Sequence, residues 1–197
     1  MGLEGLRQAA LAGDTGAARE LGHRLCVLEE ALAVATPDDV PEAEHWLRRT
    51  LDAEPADPVT ATLLAGLLLR QHRSVLELSP LYDGFGAPGT GRTAWLEALW
   101  RRRAEAYELY LRALDTDPAH AAAANGLAFM VMDPPSVDDF VYYTRDDDEP
   151  EDLDAQDPAW RAEAERRLRV LLAGRPQDTM AAANLAELAR TAPRRGQ

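Results

Sequence analysis

The chain has 197 residues and a net charge of −13, with 34 acidic side chains against 21 basic ones, all of them arginine. That length suits one compact domain or a short repeat array with a real core, and the acidic balance excludes a generic nucleic-acid binder, because phosphates need a cationic face. With 36 Ala, 29 Leu and no Ile, the composition favours helices over sheets, and the single Cys26 excludes a disulfide within the chain.

From the start, the stretch Leu3 to Ala35 carries apolar residues at helical spacing, with a break at Gly13-Asp14-Thr15-Gly16. Asp14 or Thr15 suits the cap of the second helix, and Leu21, Leu25, Leu28 and Leu32 share one of its faces. TPDDVP interrupts the pattern, and Pro41 fits the first position of the next helix. That helix, EAEHWLRRTLDAE, stops at Pro55, and periodicity restarts through DPVTATLLAGLLLRQHR. Ser74 to Gly91 holds two Pro and four Gly and reads as a loop. The longest helix is predicted over Thr93 to Thr116, and another follows Pro118 and ends before Asp133. Residues 133–158 read as irregular, a hairpin there being the one place for sheet. The last two helices are expected at Pro158 to Ala173 and Gln177 to Ala192.

The single Cys26 fits a reducing cytoplasm. MGLEGLRQAA has no basic stretch followed by an apolar core, so no secretory leader is expected. No apolar run reaches the roughly 18 residues a membrane span needs, since TATLLAGLLLRQ is stopped by Arg70. A cytoplasmic protein with no membrane contact is the expectation.

Three segments align without gaps. They are Ala43-x3-Leu47-x2-Thr50-Leu51-x3-Pro55-x8-Leu64-Ala65, Ala106-x3-Tyr110-x2-Ala113-Leu114-x3-Pro118-x8-Leu127-Ala128, and Ala164-x3-Leu168-x2-Leu171-Leu172-x3-Pro176-x8-Leu185-Ala186. Ala and Leu match cheaply here, but a proline at one offset three times does not, with only 13 Pro in the chain. Small residues let two helices approach, the larger one fills the gap, and the proline ends one helix so that the next turns back.

This pattern resembles the tetratricopeptide repeat, and Ala18-x2-Leu21-Gly22-x2-Leu25 looks like an upstream first helix with the family's Leu-Gly pair. The resemblance implies an all-α fold: a helix-pair superhelix of about three degenerate repeats forming a single domain over 1–197. The family period is about 34 residues, whereas the prolines here lie 63 and 58 apart. The excess falls between the first and second helix of a repeat, as a Gly/Pro-rich insertion at 73–92 and an acidic aromatic insertion at 133–158. An irregular helical bundle is the alternative. The resemblance further implies that the first helices line a concave face. Residue by residue that face would carry Val59, Thr62 and Leu69, then Ala122, Asn125, Phe129 and Met132, then Met180 and Ala183.

Motifs with chemistry are few. Gly86-Ala87-Pro88-Gly89-Thr90-Gly91-Arg92-Thr93 resembles a phosphate loop leading into a helix, but Arg92 stands where that loop has Lys, and no buried strand precedes it. A Gly-rich turn before a long helix is the alternative. Phe129 to Asp133 resembles the matching magnesium-binding strand, yet it also continues the repeat helix in register. Residues 133–158 hold eleven acidic residues and one Arg. Phe140, Tyr142 and Tyr143 beside Asp146, Asp147 and Asp148 suit docking on a basic partner, and a solvated acidic linker is the other reading. Asp146, Asp148 and Glu151 do not make a calcium loop, because Pro150 interrupts and no Gly is present. The four histidines are scattered, no serine sits in a GxSxG turn, and Cys26 near His23 fits a buried helix face better than a nucleophile. The arginines at 101–103 and at 166, 167 and 169 read as solvated helix faces.

These readings together predict a non-catalytic adaptor or scaffold with no metal and no cofactor. It would bind a basic or amphipathic peptide or protein through the concave face and the acidic insertion. A nucleotide-binding regulator or enzyme using 86–93 is the alternative.

Overall fold

The computed structural model describes residues 1–27, 40–78, 91–132 and 153–191, and all regular structure among them is α-helical, with no strand. The helices fall into two compact units, Met1–Thr116 and Asp117–Gln197.

The first unit holds α1 (Leu3–Leu11), α2 (Thr15–Val27), α3 (Glu42–Ala53), α4 (Pro58–Leu78) and α5 (Gly91–Thr116). Each packs on the next wherever both are in this unit, and α2 also touches α4. The core explains the spacing. Ala43, Leu47 and Thr50 of α3 are fully buried, as are Ala106, Ala113 and Leu114 of α5, with Leu64 and Ala65 of α4 between them. Thr50 hides its hydroxyl by donating to the Trp46 carbonyl at 2.9 Å. A Cβ on Gly22 would lie 2.9 Å from Cγ and Cδ2 of Leu47, so only glycine lets α2 come this close to α3. Charge then ties the surface. Arg7 of α1 forks onto Glu42 of α3 at 2.6 and 2.8 Å, and Arg48 of α3 forks onto Glu105 of α5 at 2.5 and 2.8 Å. Arg48 also reaches the buried Glu44 at 2.9 Å, with Arg102 3.6 Å from the other oxygen.

The second unit holds α6 (Ala121–Met132), α7 (Leu153–Gly174) and α8 (Thr179–Arg190), each touching the other two. Ala123, Leu127 and Ala128 of α6 and Ala164, Leu168 and Leu171 of α7 form its core, closed by Ala181 and Leu188 of α8. Leu172 and Leu185 are only half-buried and Ala186 is exposed, so the third copy of the pattern is the least covered.

The three repeated prolines occupy one kind of turn. Each is the second residue of a four-residue turn closed by a backbone bond: Asp57 N–H to Glu54, His120 N–H to Asp117 and Asp178 N–H to Arg175, at 3.0–3.1 Å. Proline's fixed φ suits that position. The α1–α2 turn instead uses Gly13 at φ 100°, a left-handed conformation open to glycine, and Asp14 accepts from the Ala17 N–H at 2.9 Å.

Two boundaries differ from the sequence reading. The loop expected from Ser74 begins later, because α4 runs on to Leu78. Val75, Leu76 and Leu78 continue the helical spacing, and the first strong breaker is Pro80. The helix expected to start at Pro158 starts at Leu153 and carries that proline inside it. Asp154 and Asp157 favour the positive end of a helix, and Pro158 removes just one backbone donor. Residues 153–157 of the acidic insertion are therefore helical.

Candidate functional site

Among the expected face residues, those of α4 share no polar network. Val59 is 46% exposed, Leu69 is half-buried, and Thr62 spends its hydroxyl on the Pro58 carbonyl of its own helix at 2.7 Å.

The second unit is different. Ala122, Asn125, Phe129 and Met132 recur at i, i+3, i+7 and i+10 on α6. Phe129 is 53% exposed there, although half of α6 is buried. On α8, Met180 is 62% exposed and Ala183 is exposed. A polar contact joins the two helices: Asn184 Nδ2 donates to Asn125 Oδ1 at 2.8 Å. Both side chains are half-buried. Each amide keeps further capacity, two N–H donors on Asn125 and an acceptor oxygen on Asn184. A donor and an acceptor side by side complement one peptide unit, and Ala122 and Ala183 beside them are exposed.

Asn184 was not among the residues singled out from the sequence. It lies 59 positions after Asn125, while the preceding prolines are 58 apart, so it aligns with Gly126. An amide displaced by one step from the equivalent position was the available signal.

The remaining expectations divide plainly. Phe140, Tyr142, Tyr143, Asp146, Asp147 and Asp148 lie outside the described residues, as does 86–90 of the Gly-rich segment. Gly91 opens α5, and Phe129 to Met132 are the last turn of α6, the helical reading of that segment. Cys26 is buried, which pushes its thiol up, with the Arg70 charge opposing more weakly. This is the wrong direction for a nucleophile. His23, on the same helix, is exposed. Tyr110 is likewise pushed up to about 12 by burial. His45 packs edge-on against Trp46 at 5.0 Å. Among the described residues no three His, Cys, Asp or Glu side chains are grouped to hold a metal ion, and no helix is long and apolar enough to cross a membrane. An open groove of about 420 Å³ in the first unit is lined by Pro55, Ala56, Glu108, Leu111, Arg112, Asp115 and Thr116, none of them an expected site residue. No family model, no curated protein and no solved structure matches the chain.

Proposed function

We propose that the chain is a non-catalytic adaptor, a tetratricopeptide-like α–α superhelix of about three degenerate repeats that binds a peptide or protein partner in the cytoplasm. The observation that carries this reading is the Asn125–Asn184 pair, on two helices that also carry the exposed Phe129 and Met180. Amides with spare donors and acceptors, beside apolar side chains left in water, suit a peptide main chain with an apolar or amphipathic side. Val59, Thr62 and Leu69 would form a separate binding face on α4 of the first unit. The acidic insertion at 133–158 would add attraction for basic groups, salt-dependent and individually weak. The buried thiol and the scattered histidines offer no competing catalytic centre among the described residues.

A displayed library of short peptides, selected on the full chain, tests this. Enriched peptides should bind at least tenfold more weakly to the Asn125→Ala, Phe129→Ala double variant, while its circular dichroism stays helical. Equal binding by the variant would remove the face from consideration. A rise of several degrees in melting temperature with ATP and magnesium, lost in Arg92→Ala, would instead establish the nucleotide-binding alternative.

A further inference from the structure

Three helices begin after the same kind of proline turn: α4 after Pro55, α6 after Pro118 and α8 after Pro176. Their equivalent positions compare one by one. Ala61, Leu64, Ala65 and Leu68 of α4 are at most 1% exposed, and the matching Ala124, Leu127, Ala128 and Val131 of α6 at most 5%. On α8 the same four positions are Ala182, Leu185, Ala186 and Ala189. Here Leu185 is half-buried and the three alanines are exposed. The neighbouring seats do not differ: Ala181 and Leu188 of α8 are fully buried, like Thr60 and Leu67 of α4.

The difference follows from what comes next in the chain. The helix after α4 packs on it, and so does the helix after α6, whereas α8 packs on α6 and α7, both before it, and among the described residues no helix follows. The covering helices bury a common row, Ala106, Tyr110 and Ala113 on α5 and Ala164, Leu168 and Leu171 on α7. Small residues there let two helices approach, and the large ones fill the grooves between them. The bare row on α8 is not built as a solvated face either. It repeats at i, i+3, i+4 and i+7 without a charge, while the exposed side of α7 carries Arg166 and Arg169. We propose that this row docks one amphipathic helix of a partner protein, whose apolar face has the small–large order of α5 and α7.

A second copy of this chain fits the row less well. The matching rows on its α5 and α7 are already buried within their own units. A self-pair would therefore set α8 against α8, alanine on alanine, with Leu185 the one large side chain from each copy. A partner helix with Leu or Tyr in its row fills the same space with more apolar surface. At about 100° of turn per residue, the row lies across α8 from Met180 and Asn184. It is thus a different surface from the proposed peptide face, and it does not depend on what that face binds.

A labelled peptide with the sequence of residues 158–174, offered in trans to the full chain, tests this by fluorescence anisotropy. Saturable binding is expected, and none by the same peptide carrying Leu168→Asp and Leu171→Asp. In the chain, Ala186→Glu should weaken binding about tenfold or more, because docking would bury an unpaired carboxylate. Its circular dichroism should stay helical, since Glu at an exposed position four before Arg190 suits a helix. No saturable binding by the wild-type chain would overturn the proposal, and cover supplied by residues 192–197 would read the same way. Equal binding by Ala186→Glu or by the Asp-bearing peptide would also overturn it. So would binding lost in the Asn125→Ala, Phe129→Ala variant but kept in Ala186→Glu, which would move the peptide to the other face. A wild-type dimer in sedimentation that Ala186→Glu turns into a monomer would give the row to a second copy and overturn it as well.

Discussion

In the first unit charge crosses between helices, from Arg7 to Glu42, from Arg19 to Glu54 and Asp57, and from Arg48 to Glu105. In the second unit the described ion pairs stay within one helix: Glu163 with Arg166 and Arg167, Glu165 with Arg169, Glu187 with Arg190. Pairs three or four residues apart support their own helix but do not choose its neighbour. Among the described residues, the helices of the second unit are joined by apolar packing, by the Asn125–Asn184 amides, and by Arg161, which donates to the Leu188 carbonyl and the Thr191 hydroxyl at the end of α8. The lesson is that one repeated pattern of Ala, Leu and Pro can be held in register by two different polar schemes.

The largest expected effect tests the packing half of this contrast. Leu127 is fully buried in α6. Leu127→Ala should lower stability by about 2–5 kcal/mol in urea denaturation, with little change between low and high salt. A loss that shrinks strongly with salt would mean that charge holds this unit after all.

Two glycine substitutions then probe helix approach inside the first unit. Gly22→Ala puts a methyl group 2.9 Å from the buried Leu47 side chain and 3.3 Å from its backbone nitrogen. Overpacking of about 1–3 kcal/mol should outweigh the gain in helix propensity. At Gly66 the same methyl would meet Tyr110 Oη at an ordinary 3.8 Å, so Gly66→Ala should stabilise by up to about 1 kcal/mol. Thermal melts of the pair should move in opposite directions. Movement in the same direction would show that the α2–α3 contact has slack.

Much of the helical order was legible in the sequence, because Leu, Ala and Pro each act locally: the apolar period marks a helix face and the proline marks its stop. Pro55, Pro118 and Pro176 lie in equivalent turns for that reason. Helix ends with no strong breaker were not legible. Ser74 reads as a loop residue by type, yet Val75 and Leu78 keep α4 going, and Pro158 reads as a start although α7 tolerates it one turn inside. At the candidate site, Asn125 and Phe129 were expected through the repeat resemblance, but Asn184 was not, because its pairing is a property of two helices in contact. The ion pairs between helices escaped for the same reason: Arg48 has acidic residues on its own helix, and only packing brings Glu105 to it.

Breaking that pair sharpens the charge half of the contrast. Arg48→Met removes both the fork to Glu105 and one partner of Glu44, whose side chain is 4% exposed. Arg102 at 3.6 Å remains to offset the buried carboxylate. A loss of about 1–2 kcal/mol is expected in urea denaturation, because the Glu105 arm is surface-exposed and weak while the Glu44 arm leaves a buried charge poorly paired. In Glu105→Gln the loss should be smaller, and it should fade in high salt. Equal losses from the two variants would assign the whole effect to the exposed fork.

The smallest effect concerns the local pairs, and pH isolates it. Glu163 accepts from Arg166 Nε at 2.8 Å and from Arg167 Nε at 2.7 Å. The Arg166 hydrogen bond is the main force holding its carboxyl down to about 2; burial pushes up against it, and the Arg167 hydrogen bond and the charges of both arginines add to the lowering. A carboxyl depressed on folding adds stability above its ordinary value near 4.5, and that contribution drains away as pH falls toward 2. Its size is limited by water, since the Arg166 side chain is 56% exposed and the pairs lie within one helix. About 0.5–1 kcal/mol is therefore the expected loss in Glu163→Gln at pH 7. The gap between variant and wild type should narrow steadily from pH 5 to pH 3, because over that range the unfolded wild type takes up a proton that its folded form still excludes, and the variant has no such carboxyl. A gap that stays constant over that range would mean the carboxylate charge contributes nothing, and that Gln fails at this position through its packing alone.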